Sequence, residues 1–535
     1  MKKFHFVRIV CLLIGAVLLA ASFAGCGGKE NPPSESGTGT ESNRPGNTTV
    51  SATEEETVPS NIEENLRFDG KMVNVYIRTS YQDLFDVEYT GAVVDNAIYT
   101  RNLEVSERLG VTLNYETYRE DGSCATLSQT LTNYHNGGIT ASMGAPHIVA
   151  FFAYYGTALA VQGLYYNLVS ESESNYLDMS KPWYNANFVS ENLLNDTLYF
   201  SVGDFNLTAT DRLVVTYMNK KALVDYSIDD IDYINLVNEG KWTFEYLKNL
   251  IQDVYQDLNG NGRTADDFFG YGVMKGSASV DALLISAGLR ITSRSENGGV
   301  ELVLNSDSNQ RAYSAVYDFY YQAVDGMKVF EPNFVVAGEY NGTDLDYMSD
   351  QMFYEGKLVF ASGLLKSAKV FAKNPSISYQ ILPLPKLTES ADEQYCTTAQ
   401  DGYDLVSIPS VNLQNDEDIK LATVALECLS EYPYRTVRPA YFEVAFKTRY
   451  ASDSDTAILF DRIVDNAVYD FGFVNSHLMS DPVWAIRDSF IGKPERTDGT
   501  KIPVESYSRI CTLYGEQIAV KFGELLEDYA GYSKE

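Results

Sequence analysis

The chain has 535 residues, of which 45% are apolar and 21% charged, and its formal net charge is −32. This is a folded, globular composition too long for one ordinary core, so two lobes or more are expected. The acidity argues against nucleic acid, whose phosphates need clustered Lys and Arg, and against an anionic membrane surface as a partner for the body of the protein.

The N-terminal stretch MKKFHFVRIVCLLIGAVLLAASFAGC places Lys2, Lys3 and Arg8 before an apolar run and small residues ending at Cys26. Residues 1–25 read as a secretory signal rather than as part of the fold. The run of about 17 residues is short for a spanning helix. Phe23-Ala24-Gly25-Cys26 resembles the lipobox of bacterial lipoproteins, with Phe where Leu is commoner. That resemblance implies a diacylated Cys26 as the first mature residue, and two acyl chains anchor a protein firmly. Residues 26–66 then form a tether rich in Gly, Ser, Thr, Pro, Asn and Glu, spanning roughly 35 Å. Four cysteines remain beyond it, Cys124, Cys396, Cys428 and Cys511, with wide spacings and no CxxC, which argues against zinc. Export permits disulfides, and their pairing is open. Cys428 lies in an apolar helical run and reads as a buried thiol.

The fold is expected to start near Gly70. KMVNVYIR (71–78) is a strand, followed by a helix with Val94, Ile98, Val105 and Leu109 on one stripe, ended by Gly110. VTLNYE (111–116) and HIVAFFA (147–153) are further strands, and strand–helix–strand at this spacing argues a parallel unit. TLYFSVGDF (197–205) and RLVVTYMNK (212–220) read as two more. A helix is predicted from Thr243, its N-cap, to about Gln256, with Leu247, Leu250, Ile251 and Val254 inward. Residues 299–306 read as a strand and 308–324 as a helix. Residues 358–363, 377–385 and 403–410 read as strands, and 416–432 as a helix with Ile419, Ala422, Leu426 and Leu429 apolar. There is no repeat of 20–50 residues to suggest a solenoid or propeller.

TYMNKKALVDY followed by NEGKWTFEYLKNLIQDVYQDLNGNGRTADDFFGYGV resembles the extracellular solute-binding proteins of bacterial ABC importers, and more narrowly the sugar-binding family 1 lipoproteins of Gram-positive anaerobes. FYEGKLVFASGLL, YQILPLPK, QDGYDLVSIPS and RYASDSDTAILFDRIVDNAVYDFG agree, so the resemblance spans about residues 70–490. It implies an α/β, type II periplasmic-binding-protein fold: two α/β lobes with a hinge and a ligand cleft. The first crossing is placed near Asp204–Tyr217 and the second near Gln400–Ser407. Lobe 1 is then 67–210 plus 400–433, and lobe 2 is 211–399 plus 434–535. The implied role is capture of a sugar or oligosaccharide by lobe closure, on the outer face of the membrane, and delivery to permease subunits. The expected form is a monomer that is no enzyme and requires no cofactor.

DLNGNGRTADDF (257–268) has two readings. Asp257, Asn259, Asn261 and the Arg263 carbonyl occupy calcium-loop positions, with Asp266 and Asp267 as acidic substitutes where Phe268 replaces the usual Glu. The other reading is an Asx turn that reverses the chain. A phosphate loop is disfavoured, because Asp257, Asp266 and Asp267 would repel the anion.

A sugar site needs aromatic faces and planar polar groups. The loops after strands at C-terminal ends carry Tyr81 and Asp83, then Tyr154 and Tyr155. Asp204, Asp211 and Arg212 lie at the first crossing, Asp401 and Tyr403 at the second, and Ser362 and Gly363 end a strand of lobe 2. Trp183 either lines the cleft or braces the hinge. Trp484 is a candidate for ligand stacking, and Trp242 reads as packing. A surface glycan hydrolase and an adhesin are the competing readings. The chain has no GxSxG, HExxH or Walker A sequence, and a hydrolase needs a carboxylate pair about 5–10 Å apart in a cleft.

Overall fold

The structure, a computed structural model, describes residues 58–119, 124–140, 143–227, 232–262, 264, 266–273, 277–323, 348–446, 454–492 and 505–532. The signal segment, Cys26 and the tether up to residue 57 lie outside the described residues, as does Arg263. Among the described residues no helix is long and apolar enough to cross a membrane.

The strands are β1 (Met72–Arg78), β2 (Thr112–Tyr118), β3 (Ile148–Phe152), β4 (Val214–Asn219), β5 (Tyr255–Gln256), β6 (Phe268–Gly272), β7 (Thr292–Arg294), β8 (Val300–Leu302), β9 (Leu358–Leu364), β10 (Tyr379–Leu382) and β11 (Asp404–Ser407). One sheet has the order β11-β3-β1-β2, with β1, β2 and β3 parallel and β11 antiparallel to β3. The other has the order β10-β4-β9-β6-β5, with β6 parallel to β9 and β4 antiparallel to both β9 and β10. β1, β3, β4, β6 and β9 are nearly continuous runs of buried residues, as strands covered on both faces must be.

The sheets are joined where two chain segments run side by side. Leu213 bridges Ala399 antiparallel, Val214 N–H donates to the Thr398 carbonyl, and Gln400 N–H donates to the Arg212 carbonyl at 2.9 Å. One segment leads into β4 of the second sheet and the other into β11 of the first.

Local chemistry sets the element ends. Gly110 closes helix Val93–Leu109 at φ 61°, a left-handed position that glycine adopts without strain. Thr243 caps helix Phe244–Ile251 by accepting from Tyr246 N–H at 3.1 Å. Asn415 caps helix Asp416–Arg435, which packs on helix Val93–Leu109.

Several expectations are corrected. The fold begins before Gly70: Ile62 is buried, and Arg108 donates to the Ile62 and Glu63 carbonyls at 3.2 and 2.6 Å. Residues 197–205 form no strand; Ser201 makes one bridge to Val406 and Gly203 one to Tyr184. The helix from Thr243 stops at Ile251, because Tyr255 and Gln256 pair with Phe269 and Phe268. Residues 299–306 give only β8, hairpinned with β7. Helix Val437–Phe446 packs both on helix Val93–Leu109 of the first lobe and on Ala368–Phe371 of the second. Trp242 is fully buried, its indole N–H donating to the Pro383 carbonyl at 3.0 Å, and Cys428 is buried; both lie where expected.

Candidate functional site

The C-terminal ends of β1 and β3 and the start of β11 meet at the edge of the first sheet that faces the second lobe. Arg78 ends β1 and is buried. It pairs with Asp404, donates to the Gly402 carbonyl, and lies over the rings of Tyr81 at 4.5 Å and Phe152 at 5.0 Å. It locks the tip of the first lobe to the second crossing segment.

A polar chain runs outward from there. Tyr81 Oη–H donates to the Gly402 carbonyl at 3.2 Å and accepts from Arg212, which also donates to Gln400. The Gln400 amide donates to Asp401, and Asp401 accepts from Arg487 at 3.0 Å. Arg487 in turn holds Asp281 with two nitrogens. Asp281 lies on helix Ser277–Ser286 and Arg487 on helix Pro482–Ile491, which pack against each other in the second lobe. Burial pushes the Asp281 carboxyl up to about 6, and the Arg487 guanidinium opposes that rise. The chain thus ties the first lobe, both crossings and the second lobe together.

Beside it stands an aromatic cluster. Tyr154, just after β3, stacks on Trp484 with centroids 5.4 Å apart and planes at 21°. Tyr155 meets Tyr154 edge-on at 4.8 Å and His477 edge-on at 4.7 Å. Tyr154 Oη–H donates to Asp481, which is also 3.6 Å from His477 Nδ1. Burial and the Asp481 carboxylate raise the Tyr154 phenol, so it stays a neutral donor. Ser480 and Asp481 both have positive φ, 62° and 55°, ahead of Pro482 at the start of the helix. Non-glycine residues rarely adopt that conformation, and it aims the Asp481 carboxylate at Tyr154. Stacked rings bordered by carboxylate, amide and guanidinium groups match the demands of a hydroxyl-rich ring: an apolar face and bidentate edges.

Tyr81, Tyr154, Tyr155, Arg212, Asp401 and Trp484 are therefore brought into one continuous group. The others lie apart from it. Asp83 lines an open groove of about 810 Å³ on the first lobe, with Asp86, Tyr99 and Tyr115. Trp183 is fully buried and braces helix Asp416–Arg435: its indole N–H donates to Glu427 at 3.1 Å, beside the Tyr184 hydroxyl at 2.6 Å. Asp204 lines a cavity with Trp183. Asp211 pairs with Lys369 at 2.9 Å. Ser362 and Gly363 sit buried within β9, where a Cβ on Gly363 would meet the Asp350 carboxylate at 2.6 Å. Tyr403 is buried against Tyr469, with centroids 5.7 Å apart. Sequence reading missed Arg78, Asp281, Gln400, His477, Asp481 and Arg487. Arg487 had a local signal, since it lies one helical turn beyond Trp484.

In the 257–267 loop, Asp257 accepts from the N–H groups of Asn259, Gly260 and Gly262 at 3.2, 2.6 and 3.0 Å. Those bonds lower its carboxyl, against the effect of desolvation. Asp267 is fully buried and accepts from Leu258 and Thr264 N–H and from the Tyr255 hydroxyl. Asp266 points away, to Lys357 at 3.3 Å. Among the described residues these are the bonds of an Asx turn, and no group of three or more His, Cys, Asp or Glu is gathered to hold a metal.

No protein-family model and no curated protein matches the sequence. Solved structures do. A cyclo/maltodextrin-binding protein complexed with maltotetraose is 13% identical, covers 84% of this chain and 98% of its own, and superposes with a TM-score of 0.50. The maltose-binding periplasmic protein MalE from Listeria monocytogenes, in complex with maltose, is 17% identical, covers 85% of this chain and 99% of its own, with a TM-score of 0.50. The chain has the two-lobed α/β fold of the periplasmic binding proteins.

Proposed function

We propose that the chain is a substrate-binding protein of an ABC importer, of the sugar-binding family 1 kind. It captures a mono- or oligosaccharide between its lobes and delivers it to membrane permease subunits. It acts as a monomer, without catalysis, held on the outer face of the membrane through a diacylated Cys26. The observation that carries this reading is the stack of Tyr154 on Trp484, one ring from each lobe, bordered by Asp481, Arg487 and Asp401. The fold supports it, as does what the two similar proteins hold, maltotetraose and maltose.

The mechanism follows from where the two rings are attached. A sugar ring that displaces the direct stack of Tyr154 on Trp484 presents its apolar face to the freed aromatic surface and its hydroxyls to the carboxylate and guanidinium groups. It touches both lobes at once, so it binds the closed arrangement more tightly than the open one and shifts the population toward closure. A thermal-shift screen of the mature chain against mono- and oligosaccharides, with amino acids and short peptides as controls, tests this. A binder at 100 times its dissociation constant stabilises by about 2.7 kcal/mol. A shift with one sugar class is expected. A shift only with amino acids or peptides, or cleavage of the glycan, would overturn the carbohydrate-capture reading.

A further inference from the structure

A second cavity, of about 310 Å³ and lined by none of the aromatic cluster, lies between the segment Trp183–Asp204, the first crossing and the residues that follow Pro433. Its lining includes Trp183, Asp204, Leu213, Tyr434, Arg438 and Asp465. Arg212 turns its side chain to Tyr81 and Gln400, whereas the next residue, Leu213, faces this cavity.

Asp204 is its unusual feature. The residue is 8% exposed. Its backbone is fixed: Asp204 N–H donates to the Trp183 carbonyl at 2.9 Å, and a Cβ on the preceding Gly203 would stand 2.5 Å from that same carbonyl oxygen. Yet among the described residues no hydrogen bond reaches the Asp204 carboxylate. The nearest cationic nitrogen, Arg438 Nη1, is 3.9 Å away. Arg438 is itself committed to Asp461 at 3.1 Å and Asp465 at 3.0 Å, so one guanidinium serves three carboxylates. Burial, together with Asp465 and Asp461, pushes the Asp204 carboxyl up to about 7 against the pull of Arg438. A buried carboxylate without donors is costly, and a ligand that brings both positive charge and N–H groups relieves it.

We propose that this cavity is a second small-molecule site, which binds a small primary amine through its ammonium group on Asp204. An ammonium supplies one positive charge and three N–H donors, more than a hydroxyl does. The Trp183, Tyr434 and Tyr469 rings with Leu213 and Val464 form the apolar part of the wall, suited to a short aliphatic stem and to cation–π contact. The volume is at the lower end of small-molecule pockets, about 300–1,000 Å³, so the ligand is small. The proposal does not depend on what occupies the cleft beside Tyr154.

The test is calorimetric titration of the mature chain with n-butylamine, and with n-butanol as its neutral counterpart. Saturable binding of n-butylamine is expected, with binding of n-butanol at least about tenfold weaker. Asp204→Asn is expected to abolish the n-butylamine signal. Asp465→Asn, on a side chain that is 62% exposed, is expected to fold and to weaken the amine by lowering the negative field. Absence of saturation with n-butylamine, an equal response to n-butanol, or wild-type amine binding in both variants would each overturn the proposal.

Discussion

Tyr154 of the first lobe lies on Trp484 of the second, ring centroids 5.4 Å apart, and its hydroxyl donates to Asp481. One aromatic pair therefore joins the lobes at the place where the polar chain from Arg212 to Asp281 also crosses between them. Trp484→Ala and Tyr154→Ala are each expected to weaken the preferred sugar by about 10- to 100-fold, or about 1.4–2.8 kcal/mol, from loss of a stacking face. Calorimetry measures this directly. Wild-type affinity in both variants would remove the pair from the site.

Arg487 stands between two acids, Asp281 and Asp401, and is itself buried. Arg487→Met leaves both carboxylates facing each other without a counter-charge. Breaking such a buried pair costs about 3–5 kcal/mol, so a large fall in the urea midpoint is expected. Adding Asp281→Asn to that variant should recover part of the loss, and a double-mutant cycle reads the coupling. Additive effects would contradict the pairing.

Burial raises two further acids, Asp204 and Glu427, each to about 7 from ordinary values of 3.8 and 4.5. Between the ordinary carboxylate range and pH 7 the folded chain then holds more protons than the unfolded one. These two groups therefore make stability fall as pH rises through that window, with no further loss above it. Urea unfolding at pH 5, 6, 7 and 8 measures the slope. Asp204→Asn and Glu427→Gln should each flatten it, and an unchanged slope in both would refute the assignment.

Asp267 accepts three hydrogen bonds inside a turn and is fully buried. Asp267→Ala leaves those donors unmet and is expected to cost about 1–3 kcal/mol. The same melting experiment reads calcium. A drop with chelator that calcium restores, and that Asp267→Ala abolishes, would assign the ion to this loop. An unchanged midpoint would leave Asp257 and Asp267 as turn residues alone.

Much of the frame was legible because it rests on local rules. KMVNVYIR and HIVAFFA are apolar runs of strand length, and Gly110 and Thr243 are capping residues in their ordinary places. Errors came where distant pairing overrode local preference. The pattern from Thr243 continues beyond Ile251, but Tyr255 and Gln256 are drawn into a strand beside Phe268 and Phe269, and Gly270 packs on Ile251 and Val254. Residues 197–205 alternate like a strand yet find only single bridges. In the site, Tyr81, Tyr154 and Tyr155 were accessible because parallel strands present their following loops to one edge. Arg487, Asp481 and Asp281 were not, because their meaning depends on two helices packing in the second lobe. Trp183 shows the reverse: the sequence left it between cleft and brace, and three-dimensional packing against Glu427 makes it a brace.

Sugar capture between the lobes is read out by calorimetric titration of the mature chain and of Trp484→Ala with a series of linear oligosaccharides, with the products assayed for new reducing ends. Saturable binding by the wild-type chain, a loss of about tenfold or more in the variant, and intact glycan afterwards are expected. Cleaved glycan, or a wild-type chain that binds no sugar of any length, would contradict it.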